Sequence, residues 1–154
     1  MSRTAGPILK AYWESKSGPG LIPDRADIDP AEIRGVLPDL AMIERAGDGT
    51  YRIRLAGTRV SQRCGVEPTG IVFGEGHANE GLADLARLLD TCTVSGGPVE
   101  SDIANFGSAP SFVRIEATVM PLRRGGDTIE MFILTLEFVV SSDQEFGARQ
   151  YRNC

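Results

Sequence analysis

The segment from Thr128 to Val139 constrains the fold more than any other part of the chain. Successive side chains of an extended strand point to opposite faces, and in this segment both faces are apolar. One face carries Ile129, Met131 and Ile133, and the other carries Phe132, Leu134, Leu136 and Phe138. Strands of this kind are covered on both sides. We therefore expect a central strand in a sheet with elements packed on both faces.

Four more segments have the alternation or the flanking turns of strands. They span residues 40–44, 51–56, 99–106 and 112–122. The glycine-rich turn AGDGT at 46–50 predicts a hairpin between the first two, and RRGGD at 123–127 joins the last of them to the central strand. In the second strand, Tyr51, Ile53 and Leu55 are predicted to face the interior, with Arg52 and Arg54 on the opposite side.

The longest predicted helix runs from an N-cap at Asn79 to about Val94. Its apolar stripe is formed by Leu82, Leu85, Leu89 and Cys92, a spacing that favours packing of one helix face against a sheet. Two short helices are also predicted. One begins at Asp29, with Pro30 and Glu32 in a capping-box arrangement, and the other has Thr58 as N-cap and Gly65 as C-cap.

An amphipathic helix is expected at residues 8–16, before the linker SGPG at 17–20. Its apolar stripe consists of Ile8, Leu9, Tyr12 and Trp13. The stripe can pack on its own domain or form an interface with a second copy or another partner, and the sequence leaves both open. The sequence thus predicts an α+β fold, with a five-stranded antiparallel sheet, helices on one face and an N-terminal amphipathic helix. We expect residues 1–20 to form the helix and linker, 21–140 the domain and 141–154 a polar tail.

Composition narrows the classes of partner. A chain of 154 residues is most simply one domain. Its net charge of −5 argues against nucleic acid or an anionic membrane as the main partner. No apolar run approaches the roughly 20 residues that span a bilayer, and the N-terminus lacks the apolar core of a secretory signal. A cytoplasmic location is expected.

Metal, nucleotide and cofactor motifs are weak. Cys64, Cys92 and Cys154 are widely spaced and include no CxxC pair, so small core residues and a tail thiol are the simplest interpretation. His77 is the only histidine and is interpreted as a loop residue near a helix start. The glycine-rich stretch 71–81 has no phosphate-loop GK[ST]. The sequence supports neither haem nor flavin, and the cofactor is unknown.

Several motifs resemble those of a known family. They are YWES at 12–15, LIPDRADIDPAEI at 21–33, LPDL at 37–40, YRIRLAGTRV at 51–60 and CGVEPTG at 64–70. Together they resemble the alphaproteobacterial single-PAS-domain family, first catalogued as a domain of unknown function. The resemblance covers about residues 8–139 and is most specific in 12–70. It implies a sensory or interaction module of bacterial signalling that is not an enzyme, commonly dimerises, and binds a small ligand or a protein partner.

Candidate pocket residues follow from the face to which each side chain of a predicted strand or helix should point. They are Ile53, Leu55, Val60, Cys64, Leu82, Leu85, Leu89, Ile115, Ala117, Phe132 and Leu134. Ordinary core packing is the alternative for each of them. Arg52 and Arg54 are candidate anchors for a carboxylate or phosphate if one of them turns inward, because a guanidinium donates in a fork. A solvated or ion-paired face is the alternative, and Arg54 is the one we assign to the site.

Two other functions compete with a ligand sensor. One is a ligand-free dimerisation or protein-interaction module with the same fold. The other is a small α+β enzyme of the steroid-isomerase kind, with Asp102 or Asp90 as a base in an apolar cavity.

Overall fold

The computed structural model describes residues 4–18, 21–107 and 113–140 and is built on one antiparallel sheet. Its strands are β1 (Leu40–Gly47), β2 (Thr50–Ala56), β3 (Val72–Phe73), β4 (Val99–Ala104), β5 (Val113–Arg123) and β6 (Ile129–Val140). Their order in the sheet is β3-β2-β1-β6-β5-β4. The predicted α+β class is confirmed, but the sheet has six strands rather than five, because the two-residue β3 adds to the edge of β2.

Three α-helices and two 3-10 helices accompany the sheet in the part of the chain that the structure describes. The α-helices are α1 (Ala5–Lys16), α2 (Thr58–Cys64) and α3 (Glu80–Ser95), and the 3-10 helices span Arg25–Asp27 and Pro30–Asp39. Within the described ranges, no helix is both long and apolar enough to cross a bilayer.

Strand β6 is central, as its two apolar faces predict. On one face Phe132 and Leu134 join a cluster with residues of α2 and α3, which we call the inner cluster. On the other face Met131 and Ile133 join residues of α1 and the longer 3-10 helix in a second cluster, which we call the outer cluster. The helices are therefore divided between the two faces of the sheet, and β6 separates two cores.

Helix α3 has the ends that its sequence predicts. The Asn79 side chain accepts a hydrogen bond from the backbone N–H of Leu82 at 3.0 Å, which satisfies a donor of the first turn. At the other end Gly96 has φ of 73°, the left-handed conformation that glycine adopts without strain. The predicted stripe, Leu82, Leu85, Leu89 and Cys92, is buried in the inner cluster.

Helix α1 packs on the outer face of its own sheet. Leu9 and Trp13 are buried there, and the Trp13 indole N–H donates to the carbonyl oxygen of Pro121 at 2.9 Å. Ile8 points outward and is 52% exposed. Of the two arrangements that the sequence left open, the structure shows the helix packed on its own domain.

Replacing Trp13 by phenylalanine is expected to lower the free energy of unfolding by about 1–2 kcal/mol. The smaller phenyl ring keeps most of the apolar contacts in the outer cluster, but the buried Pro121 carbonyl loses the indole donor, and a buried acceptor left without its partner costs about that much. Urea denaturation measures the change. A variant as stable as the wild type would contradict the role of this hydrogen bond.

A bulge in β2 reverses the direction in which one of the predicted pocket residues faces. Met42 pairs with Leu55 and Ile43 pairs with Ile53, so Arg54 is the extra residue on β2. An extra residue shifts the alternation of a strand by one position. Leu55 therefore faces outward with Met42, and the prediction that it faces the interior with Ile53 was wrong.

One predicted N-cap was wrong, and one predicted capping box is only half formed, although Asp29 is the N-cap and Pro30 the first residue of the longer 3-10 helix as predicted. Gly57 rather than Thr58 is the N-cap of α2, without a side-chain cap bond. The Glu32 carboxylate does not close a capping box with Asp29. It accepts a hydrogen bond from the Tyr12 hydroxyl at 2.6 Å, while the Asp29 side chain accepts from the backbone N–H of Ala31.

Candidate functional site

The inner cluster contains the predicted pocket residues apart from Leu55 and Arg54. Helices α2 and α3 supply one wall, and the sheet supplies the other. The members that sequence parity identified are Ile53, Val60, Leu82, Leu85, Leu89, Ile115, Ala117, Phe132 and Leu134, with Cys64 partly buried against them. The structure therefore brings these side chains together between the sheet and helices α2 and α3.

The centre of this cluster is filled by its own side chains. The six residues at the centre have no accessible surface; they are Leu85, Leu89, Ile115, Ala117, Phe132 and Leu134. The wall of any cavity wide enough for a water molecule would itself be accessible surface. No water-sized space therefore touches these six side chains, which pack as in an ordinary close-packed interior.

The margin of the cluster beside α2 is less closed. Cys64, Ile71 and Phe106 are only partly buried and pack against the cluster. Burial, reinforced by the nearby Glu67 carboxylate, raises the pKa of the Cys64 thiol to about 11. The thiol therefore stays protonated at neutral pH and behaves as an apolar group.

A tyrosine–aspartate pair joins β2 to α3 at the edge of the inner cluster. The Tyr51 ring is buried, with its centroid 5.9 Å from that of Phe73 and 5.7 Å from that of Phe132. Its hydroxyl donates to the Asp90 carboxylate. Burial, and then the hydrogen bond to Asp90, raise the pKa of Tyr51. Sequence reasoning missed this pair. The sequence did predict that Tyr51 faces the interior and that Asp90 lies on the long helix, and these were the two indications that could have suggested it.

This pair differs from the arrangement that the enzyme alternative predicts, an aspartate base in an apolar cavity. Asp90 already accepts the Tyr51 hydrogen bond, and the adjoining centre of the cluster has no water-sized space. Asp102, the other candidate base, lies on the edge strand β4, where its side chain is 46% exposed and 3.2 Å from the Arg114 guanidinium. The pair is better explained as a link that holds α3 against the sheet.

His77, the only histidine of the sequence, lies in the loop before α3, outside the inner cluster. Its Nδ1 accepts a hydrogen bond from the backbone N–H of Asn79 at 3.0 Å. Within residues 4–18, 21–107 and 113–140, no group of three or more histidine, cysteine or acidic side chains is arranged as a metal site.

The two predicted site residues outside the inner cluster line an outward cleft. Arg54 and Leu55 of β2 border it together with Glu44 of β1 and Arg124 of the β5–β6 turn. The Glu44 side chain is only 13% exposed and carries ion pairs to Arg124 at 2.9 Å, Arg52 at 3.1 Å and Arg54 at 3.6 Å. The predicted anchor Arg54 is therefore a surface arginine paired with an internal carboxylate.

The stability that Glu44 contributes is expected to disappear in acid. Burial alone would raise its pKa, but hydrogen bonds from Arg124 and Arg52 and the nearby Arg54 charge outweigh burial and lower it. A carboxylate with a lowered folded pKa stabilises fully above its ordinary pKa, and the contribution is lost as pH falls through the folded value. Glu44→Gln should flatten the acid limb of the unfolding free energy below the ordinary glutamate pKa of 4.5 and leave it unchanged at neutral pH. Parallel acid limbs in urea titrations would contradict this assignment.

Comparison with known proteins identifies the family. The family model described as "PAS domain" matches residues 1–136. The chain therefore belongs to the PAS domain family, whose fold is that of sensory signalling modules and whose members are generally not enzymes. No match is found among curated proteins.

Solved structures with this fold include light-oxygen-voltage proteins. The LOV protein of Rhodobacter sphaeroides is 14% identical, with a TM-score of 0.50 over 79% of this chain and 74% of that one. An RNA-binding light-oxygen-voltage receptor is also 14% identical, with a TM-score of 0.52 over 87% of this chain. The alignment covers 42% of that receptor. At such identities the likeness concerns the fold alone.

Proposed function

We propose that this PAS domain is a regulatory module of bacterial cytoplasmic signalling that acts by binding a protein, not a small molecule held in its interior. The observation that carries the proposal is the filled centre of the inner cluster. A sensor that encloses a ligand needs a pocket of roughly 300–1,000 Å³. Here Leu85, Leu89 and Phe132, which would line that pocket, have no accessible surface.

A ligand at the centre would have to displace packed side chains. Forcing extra volume into a close-packed core costs about 1–3 kcal/mol or more, which any binding energy would first have to overcome. Contact through the surface carries no such cost. The PAS family membership supports a signalling role, and the packing of this chain favours its surface as the working part.

A homodimer is part of the proposal, with a narrower interface than the sequence suggests. Leu9 and Trp13 are buried within the chain, so the exposed Ile8 and the partly buried Tyr12 are the members of the predicted stripe that remain accessible. If the helix forms the interface, wild-type protein sediments as a dimer and Ile8→Glu shifts it to monomer. An Ile8→Glu variant that remains dimeric would remove α1 from the interface.

A second candidate is a small apolar ligand at the margin beside α2. Cys64, Ile71 and Phe106 favour it, because they present partly buried apolar surface next to the inner cluster. Such a ligand would contact the edge of the cluster and leave its centre packed.

Denaturing mass spectrometry of natively purified protein tests the choice between these functions. A protein-binding module is expected to release no small molecule in stoichiometric amount. A molecule released at about one per chain would overturn the proposal and favour the margin site. Melting temperature in the presence of the released compound would then rise with its concentration.

A further inference from the structure

Arginine side chains surround one carboxylate in the outward cleft. Arg25, Arg54 and Arg124 line the cleft with Glu44, and Arg52 pairs with Glu44 from the adjacent position on β2. Three of these guanidinium groups pair with Glu44, and the Arg25 guanidinium donates to the carbonyl oxygen of Ile28. In a chain with a net charge of −5, the cleft is a local concentration of positive charge.

The hydrogen-bonding capacity of these arginines is largely unused. A guanidinium carries five N–H donors. Among the described residues, Arg54 makes only the 3.6 Å ion pair with Glu44, and Arg124 makes one hydrogen bond, to the same carboxylate. Both side chains are about half exposed. Their remaining donors are available to a second acidic group, which arginine recognises through paired hydrogen bonds.

The floor of the cleft is apolar. Met42 and Met131 come from neighbouring strands and are almost fully buried, and Leu55 forms one side and is 41% exposed. The bulge at Arg54 creates this arrangement, because it turns Leu55 and Arg54 to the same side of the sheet. Methionine adapts its shape to varied apolar side chains. The cleft therefore offers an apolar floor beneath a rim of cations.

We infer that this cleft binds an acidic segment of a partner protein, with a carboxylate on the arginines and an apolar side chain over Leu55 and the two methionines. This inference rests on the proposed function and names the chemistry of the partner. The cleft has a volume of about 290 Å³ and opens to solvent along one side, which suits one or two side chains of a docked segment. Nucleic acid would require a longer basic track than these arginines provide.

The test uses a fluorescein-labelled, amidated eight-residue peptide of alternating glutamate and leucine, titrated with the full chain by fluorescence anisotropy. Saturable binding is expected with Kd below about 1 mM. Arg54→Gln combined with Arg124→Gln should weaken binding at least about tenfold, because the two most available guanidinium groups of the rim are lost. Glu44→Gln should tighten binding about threefold or more, because the internal carboxylate no longer competes for the arginines.

Opposite changes in the two variants separate recognition from loss of structure, since misfolding would weaken binding in both. Arg87→Gln is the matched control. Arg87 is an exposed arginine that pairs with Asp84 on the same helix, α3, and this helix lies on the face of the sheet opposite to the cleft. It should bind as the wild type does.

Four results would overturn the inference. They are absence of saturable binding, equal binding of the arginine double variant, equal binding of a lysine–leucine peptide, and displacement of the peptide by equimolar inorganic phosphate or oligouridylate. Displacement would identify a small-anion or RNA site instead. The mass-spectrometric test uses the unmodified chain without peptide, so failure of the proposed function and failure of this inference give different results.

Discussion

Replacing Gly57 by alanine is expected to destabilise the protein by about 3 kcal/mol, near the upper end of the usual cost of overpacking. A Cβ atom at this position would lie 2.0 Å from the carbonyl oxygen of Leu37 and 2.6 Å from that of Pro38. Both contacts are with backbone, which cannot move aside as a flexible side chain can. The N–H of Gly57 also donates to the Leu40 carbonyl at 2.7 Å. Moving these two segments of the chain apart to make room for the Cβ would break that bond.

Gly35→Ala is the matched control for this prediction. Gly35 lies in the longer 3-10 helix, and an added Cβ would meet no atom within 4 Å. Its substitution should change the free energy of unfolding by no more than about 0.5 kcal/mol. Urea denaturation of both variants makes the comparison. Equal stability of Gly57→Ala and Gly35→Ala would show that the segments do not approach as closely as described.

Replacing Phe132 by alanine is expected to cost about 3–5 kcal/mol of unfolding free energy. Phe132 has no accessible surface and lies at the centre of the inner cluster, with its ring edge-on to that of Tyr51. The substitution removes apolar contacts and leaves a cavity that its neighbours fill only in part. An apolar cavity of this kind stays dry and binds benzene or xenon.

Benzene should therefore raise the melting temperature of Phe132→Ala and leave that of the wild type unchanged. Val66→Ala is the control for truncation alone, because Val66 is exposed and its loss should cost no more than about 0.5 kcal/mol. Stabilisation of the wild type by benzene would reveal a pre-existing internal cavity. A Phe132→Ala variant as stable as the wild type would show that this ring does not fill the core.

Sequence periodicity predicted the parts of the fold that repeat over several turns or strand positions. Helix α3 has four apolar residues in its stripe and glycine and asparagine at its ends, so its packing and limits were both predictable. Strand β6 is apolar on both of its faces, and this predicted that it lies at the centre of the sheet. The inner cluster followed from the same two patterns, because both elements direct these residues to one face.

Features that depend on a single residue or on distant pairing could not be predicted in this way. The bulge at Arg54 depends on how β2 pairs with β1, and it turned Leu55 from an expected pocket residue into part of the outward cleft. Strand β3 is two residues long, too short to show any alternation. The link between Tyr51 and Asp90 joins positions 39 residues apart that only the packing of α3 brings together.

The burial of Trp13 also depended on tertiary packing. An amphipathic stripe shows that a helix face will be covered, but it does not show which element will cover it. Leu9 and Trp13 meet the outer face of β5 and β6, which is apolar at Met120 and Ile133. The second apolar face of β6 was the available signal, since a strand buried on both sides requires an element on each.

The most direct test of the account is the electron density between α3 and the sheet in a high-resolution crystal structure of natively purified protein. We expect continuous density for the side chains of Leu85, Leu89 and Phe132 in mutual contact, with no further molecule between them. Density for a bound molecule at the centre of the inner cluster, with these side chains moved apart, would contradict a module that works through its surface.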